Sequence, residues 1–145
     1  MGCDRYKCLT VLIVDDVSIM RSILRGILKD LGFVGIVEAA DGVTAFGIAK
    51  HERIDLIISN WNMPKMSGLE LLKRVRDEQG TKDIPFLMLT SEGRQEYVLQ
   101  AAREKVSDYV IKPFNPIALG ERLQKVLNAN APFPDADDED CVILA

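Results

Sequence analysis

The chain has 145 residues, 48% of them hydrophobic and 28% charged, which suits one domain with a substantial core and leaves little room for a second. Its apolar runs are too short to cross a bilayer and no signal-peptide pattern opens it, so we expect a cytoplasmic protein without membrane insertion. Residues 135–145 carry five acids and no base, so the net charge of −4 leaves a nearly neutral body and no electrostatic case for nucleic-acid binding.

The first part of the chain predicts two strand–helix pairs. Residues 9–14 (LTVLIV) are a continuous apolar run, typical of a strand covered on both faces. A helix is predicted over residues 18–31, because its apolar side chains recur at intervals of three and four residues, and Gly32 is expected to end it. A second strand over residues 35–40 leads into a helix that Asp41 can cap and that runs to about residue 50.

The second part predicts three more strand–helix pairs. The third strand is expected at residues 54–59 (IDLIIS), and the helix after it ends near residue 79, before Gly80. The remaining predicted elements are a strand over 84–89, a helix over 93–105, a strand over 108–111, and a helix with Asn115 as N-cap and Pro116 as first residue.

This alternation with short connections predicts an α/β fold with a doubly wound, five-stranded parallel sheet and helices on both faces. We divide the chain into an N-terminal extension (1–8), one domain (9–130) and an acidic C-terminal tail (131–145). The tail is predicted to be disordered, because residues 135–145 are acidic and contain no aromatic side chain to bury. In such a sheet, the functional crevice lies beyond the carboxyl ends of the strands.

Polar residues follow four of the predicted strands where each apolar run stops. They are Asp15 and Asp16, then Asn60 and Asn62, then Thr90, then Lys112. Adjacent carboxylates suit Mg²⁺, which prefers oxygen ligands. Each group alone has a plainer interpretation as a loop or helix-cap residue, but their joint occurrence at strand ends favours one shared site.

Four segments resemble the receiver domains of response regulators, and within them the chemotaxis (CheY-like) type. They are VLIVDD (11–16), SNWNMPKMSGLELLKRVR (59–76), FLMLTSE (86–92) and DYVIKPF (108–114). The resemblance covers most of residues 9–130. It implies the flavodoxin-like, CheY-like (βα)5 fold with strand order 2-1-3-4-5, and two-component signal transduction, or phosphorelay, by a single receiver domain that is not an enzyme.

The resemblance also implies a role for each strand-end residue. Asp15, Asp16 and the backbone carbonyl of Asn62 would hold Mg²⁺. Residue 60 would occupy the place of the aspartate that takes a phosphoryl group from a sensor histidine kinase. Thr90 would hydrogen-bond to that group.

The remaining implied roles belong to strand five and its surroundings. Lys112 would pair with the phosphoryl group, and the Lys112–Pro113 peptide bond is expected to be cis. Tyr109 would turn inward as Thr90 moves, altering the face made by helix four, strand five and helix five. A motor switch or another pathway protein would bind that face.

Asn60 is the main departure from the family pattern. Its amide oxygen can still face a cation, but it lacks the anionic nucleophile needed for an acyl phosphate. The pocket loses one negative charge, so Mg²⁺ binding should weaken. Asn60 is either an engineered block or natural to a pseudo-receiver that binds partners without phosphorylation. Ser59 as the acceptor is disfavoured, because it lacks an activating base and alternation points it away from residue 60.

Three further expectations complete the prediction. Lys105 replaces the small residue typical of its turn, so either it adopts a left-handed conformation at roughly 1 kcal/mol or the turn differs. Trp61 should be partly exposed beside the pocket. Two related folds fit poorly: a haloacid-dehalogenase-like phosphatase needs Asp-x-Asp after strand one, and a flavodoxin needs a phosphate loop there.

Overall fold

The computed structural model describes residues 6–130, with side chains for residues 6–128. The strands are β1 Thr10–Val14, β2 Gly35–Ala39, β3 Leu56–Ser59, β4 Phe86–Thr90 and β5 Asp108–Ile111. The helices are α1 Ser18–Leu31, α2 Gly42–His51, α3 Gly68–Asp77, α4 Gln95–Arg103 and α5 Pro116–Asn130. The predicted tail (131–145) and the first five residues of the predicted extension lie outside the described residues.

All strands are parallel and form one sheet in the order β2-β1-β3-β4-β5, which confirms the predicted fold class. The ten predicted elements all occur in their predicted order. The fourth strand begins at Phe86, two residues later than predicted, and continues to Thr90, which pairs with Ile111 of β5. Among the described helices, none is long and apolar enough to cross a membrane.

Alternate residues of the strands pack against helices on opposite faces of the sheet. On one face Leu12 and Val14 of β1 belong to a core with side chains of α2, α3 and α4. On the other face Val11 and Ile13 belong to a core with side chains of α1 and α5. These four side chains are buried, because a strand inside a parallel sheet is covered on both sides.

Several turns follow from the residues that form them. Gly32 ends α1 at φ 108°, a left-handed conformation that glycine adopts without steric cost. The Asp41 side chain accepts a hydrogen bond from the Thr44 backbone and caps α2, as predicted. Lys105 has φ 66°, so of the two alternatives left open for this turn the structure shows the left-handed one. Arg76 donates to the Lys105 carbonyl at 3.1 Å and fixes that turn to α3.

The start of α3 lies directly against the end of β3. A Cβ atom added to Gly68 would lie 2.2 Å from the backbone oxygen of Asn60. The Gly68 N–H donates to the Trp61 carbonyl at 2.7 Å. Only glycine permits this approach, so α3 supports the backbone of the loop where the candidate site begins.

Candidate functional site

Asp15 emerges from β1 as a buried carboxylate with two hydrogen-bond donors. Its side chain is only 3% exposed. One oxygen accepts from the Val17 N–H at 3.0 Å, and the other accepts from the Lys112 Nζ at 3.2 Å. A buried charge needs such partners, because desolvation otherwise outweighs the gain from burying the side chain. Asp16 is exposed at the edge of the crevice.

Lys112 follows β5, and its side chain extends past the ends of β4 and β3 to reach the Asp15 carboxylate at the end of β1. Its backbone N–H donates to the Thr90 carbonyl at 2.8 Å, which extends the β4–β5 pairing by one residue. The Lys112–Pro113 bond is cis, as predicted. The ion pair thus joins residues 97 positions apart in the sequence and brings the ends of β1 and β5 together.

Asn60 follows β3, and its backbone N–H donates to the Val14 carbonyl at 3.0 Å. Its amide nitrogen donates to the backbone carbonyl of Asn62 at 2.9 Å. That carbonyl is the one predicted to face a metal ion. Ser59 is fully buried and its hydroxyl donates to the Asn60 carbonyl, so its hydroxyl proton is bound within the backbone of the loop.

The oxygen atoms at this site are of the chemical type that binds a hard cation. Among residues 6–128, no cluster of three or more Asp, Glu, His or Cys side chains is placed to hold a metal ion. A cation would therefore depend on Asp15, Asp16 and the neutral oxygens of Asn60 and Asn62. Carboxylate and carbonyl oxygens are ligands that Mg²⁺ accepts, usually with several waters. The donor set fits Mg²⁺, with one carboxylate fewer than an aspartate at position 60 would supply.

Thr90 and Tyr109 lie beside this crevice and meet at Glu92. The fully buried Thr90 hydroxyl oxygen accepts from the Glu92 N–H at 3.2 Å. The half-buried Tyr109 hydroxyl donates to the Glu92 carbonyl at 2.5 Å. Burial raises the pKa of Tyr109 to about 12, so this hydroxyl remains a donor across the physiological range. Thr90 and Tyr109, the two residues predicted to act as a switch, thus both contact the backbone of Glu92.

Trp61 corrects one sequence prediction, because it is buried at 6% exposure rather than partly exposed. Its ring makes an edge contact with Tyr97 at 5.0 Å between centroids and a tilted contact with Tyr109 at 6.4 Å. Arg94 lies over the Tyr97 ring at 4.7 Å. Partners on α4 and β5 cover the indole, and the sequence around Trp61 alone gives no sign of them.

Tyr97 and Arg94 are residues that the sequence reasoning did not select. Arg94 forms an ion pair with Glu92 at 2.9 Å, and this pair lowers the pKa of Glu92 through its hydrogen bond. The aromatic cluster of Trp61, Tyr97 and Tyr109 therefore connects the residue after Asn60 with the β4–α4 loop. The sequence did carry one signal for this contact: Tyr97 follows Arg94 by three residues at the start of a predicted helix, a spacing that places the two side chains on the same helix face.

Comparisons with known proteins agree with this geometry. Residues 11–124 match the family model described as the response regulator receiver domain. The chain is 42% identical over 120 residues to the chemotaxis protein CheY-3 of Vibrio cholerae, an alignment that covers 83% of this chain and 92% of that protein.

Two solved structures share the fold. The chemotaxis response regulator CheY4 of Vibrio cholerae is 39% identical, with a TM-score of 0.76 over 81% of this chain and 98% of that one. The receiver domain of sensor histidine kinase PA1611 from Pseudomonas aeruginosa PAO1, solved with a magnesium ion in its active site cleft, is 24% identical with a TM-score of 0.76. It covers 83% of this chain and 98% of its own, and at that identity it shows only a common fold.

Proposed function

The chain belongs to the response regulator receiver family of two-component signalling, and we propose that it works as a non-enzymatic, CheY-like signalling module of the cytoplasm. The observation that carries the proposal is the ion pair between Asp15 and Lys112 at 3.2 Å beside Asn60. This pair gives one crevice both an anionic group for a cation and a cationic group for a phosphoryl oxygen.

Position 60 decides what chemistry the crevice can perform. An aspartate there would attack phosphorus with its carboxylate while the phosphorus–nitrogen bond to a kinase histidine breaks. The amide of Asn60 has no comparable nucleophilic oxygen. We propose that the chain presents a receiver surface to a sensor histidine kinase without accepting its phosphoryl group at residue 60.

The Asn60 amide also changes the expected metal affinity. An aspartate oxygen directed at the Asn62 carbonyl would place two partial negative charges together, an arrangement that a cation relieves. The Asn60 amide instead donates to that carbonyl at 2.9 Å. Mg²⁺ would be held mainly by Asp15 and Asp16, where it would neutralise charge on a bound phosphoryl group. We propose that its binding is weaker than in an Asn60→Asp variant.

The face formed by α4, β5 and α5 is the proposed contact for a downstream protein, such as a motor switch or another pathway protein. Each of these elements exposes one large apolar side chain. Leu99 is 46% exposed, Ile111 is 47% exposed and Ile117 is 75% exposed. Exposed apolar side chains favour a protein partner, because burying them releases water from apolar surface.

Beryllofluoride, a phosphoryl analogue, tests the proposal through the fluorescence of Trp61, the single tryptophan of the chain. In Asn60→Asp with Mg²⁺, we expect beryllofluoride to change Trp61 emission, because residue 60 adjoins the indole. In the unchanged chain, we expect no change at the same concentrations. An Asn60→Asp variant that shows no response would contradict the proposed receiver switch.

A second candidate is a phosphorylation-independent binding module, and the position of Tyr109 favours it. Its hydroxyl already donates to the Glu92 carbonyl while position 60 carries a neutral amide. Under this candidate, partner capture by the chain would be the same with and without kinase or phosphodonor. An aspartate codon at position 60 in the source gene would eliminate this candidate.

A further inference from the structure

Arg21 of α1 connects the candidate metal ligand with the second strand. Its Nη1 donates to the backbone carbonyl of Asp15 at 2.6 Å. Its Nε donates to a carboxylate oxygen of Glu38 on β2 at 3.0 Å. The Arg21 side chain is 18% exposed and the Glu38 side chain 29%, so water screens this interaction only in part.

The backbone of Asp15 is thereby fixed on both sides. Its N–H donates to the Ala39 carbonyl of β2 at 3.1 Å, and its carbonyl accepts from Arg21. The chain leaves β1 at this point, so these two bonds set the direction in which the Asp15 carboxylate leaves the backbone. The carboxylate then accepts from the Val17 N–H at 3.0 Å.

Glu38 gives Arg21 an electrostatic counterpart. A guanidinium beside a cation site would repel a divalent ion, and the Glu38 carboxylate offsets that charge. Glu38 also accepts from Arg25 at 2.6 Å, and chiefly this hydrogen bond lowers the pKa of Glu38. The carboxylate therefore stays ionised at neutral pH and remains an anchor for Arg21.

We infer that Arg21, anchored by Glu38, is a positioning residue that sets the orientation of the Asp15 carboxylate for a divalent cation. This inference rests on the proposed function, since it assumes a cation site at Asp15. Replacing a group that orients a ligand without touching the metal typically lowers metal affinity by about 10- to 100-fold. Arg21 touches only the backbone of Asp15, so its effect is separate from that of the carboxylate itself.

Arg25 supplies a matched control. It donates to the same Glu38 carboxylate and to the Ile36 carbonyl at 3.3 Å, so it shares the helix, the charge and the anchor with Arg21. Its donors lead to β2 and not to the Asp15 carbonyl. A difference between Arg21→Gln and Arg25→Gln therefore isolates the contact with Asp15.

The first experiment measures Mg²⁺ affinity by calorimetry on the full chain with Asn60→Asp. We expect Arg21→Gln to weaken Mg²⁺ binding about tenfold, within the range for residues that orient metal ligands. Arg21→Lys should recover part of the loss, and Arg25→Gln should change affinity less than about twofold. Equal losses in both glutamine variants, or none in Arg21→Gln, would overturn the inference.

The second experiment needs no metal. Hydrogen exchange of the Val17 amide reports its bond to the Asp15 carboxylate, so Arg21→Gln should speed that exchange while Arg25→Gln leaves it unchanged. Unchanged exchange in Arg21→Gln would overturn the inference, and the Arg21→Lys variant covers a failure of Arg21→Gln to fold. An Asn60→Asp chain that binds no Mg²⁺ would instead refute the proposed cation site, and this inference with it.

Discussion

The two halves of the candidate site differ in how their partners are brought together. Asp15 and Lys112 form a charged pair between residues 97 positions apart, and the sheet topology creates it. Asn60 and Asn62 form a neutral hydrogen bond between residues two positions apart, within a single loop. The charged half depends on the whole fold, whereas the neutral half depends on the side chain at one position. Replacing that side chain can therefore change the chemistry while the charged half stays assembled.

The largest expected effect breaks the neutral half. With acetyl phosphate as donor, Asn60→Asp should take up a phosphoryl group, because its carboxylate can attack phosphorus and displace acetate. The unchanged chain should take up none at residue 60, as measured by mass spectrometry of the intact protein and its peptides. Asn60→Asp combined with Ser59→Ala should behave like Asn60→Asp, and phosphate found on Ser59 would contradict the assignment of position 60.

The next effect breaks the charged half. Lys112→Met should lower the free energy of unfolding by about 2 kcal/mol, because it leaves Asp15 buried without its cation, while the partial exposure of Lys112 limits the loss. Urea unfolding at neutral pH measures the change. Lys112→Met combined with Asp15→Asn should recover part of the loss, and a loss in the double variant equal to the sum of the losses in Lys112→Met and Asp15→Asn alone would show that the pair is not coupled.

A smaller effect concerns the acid sensitivity of the Glu38 ion pairs, which contact the charged half only through Arg21. The Glu38 pKa is lowered from 4.5, first by the Arg25 hydrogen bond, so its ion pairs stabilise the folded state above pH 4.5. That stabilisation is lost as pH falls through the lower, folded-state pKa. Glu38→Gln should remove at most about 1 kcal/mol of this pH-dependent stability. Urea unfolding from pH 6 to pH 3 should show a shallower decline for Glu38→Gln than for the parent.

The smallest expected effect is the gain in stability from glycine at two left-handed residues, one in the loop that holds the neutral half and one in a distant turn. Lys65, which follows Asn62 in the β3–α3 loop, and Lys105 both adopt positive φ, at 70° and 66°. Lys105→Gly should stabilise the protein by about 0.5 kcal/mol, because relief of left-handed strain slightly exceeds the entropic cost of glycine. Lys65→Gly should gain less, because Lys65 also pairs with Asp41 at 3.7 Å. Thermal unfolding resolves the ranking, and a larger gain at Lys65 would reverse it.

Most of the fold was predictable because its signals are local. Apolar periodicity predicted all ten elements, and the residue type before the second helix predicted the Asp41 cap. The cis bond before Pro113 was predicted from the family resemblance, and the conformation of Lys105 was left open between two alternatives. The positions of Asp15 and Lys112 directly after predicted strands placed them in one crevice, because parallel strands end at the same edge of the sheet.

What the sequence did not reveal depends on side chains that meet only in the folded chain. Trp61 was expected to be partly exposed, but Tyr97 of α4 and Tyr109 of β5 cover it. Helical periodicity shows which face of α1 is apolar, but it does not show that Arg21 reaches the Asp15 carbonyl. Long polar side chains have many rotamers of similar energy, so their partners follow from tertiary contacts and not from spacing.

The contact between Gly68 and the Asn60 carbonyl separates the location of residue 60 from its identity. Because α3 presses on the backbone there, the main chain of residue 60 is placed by a neighbour that never touches its side chain. Exchanging the amide for other small polar groups should therefore alter reactivity at a fixed point in space. Different side chains substituted at position 60 would therefore share one backbone position, so the reactivity of different nucleophiles could be compared in the same geometry.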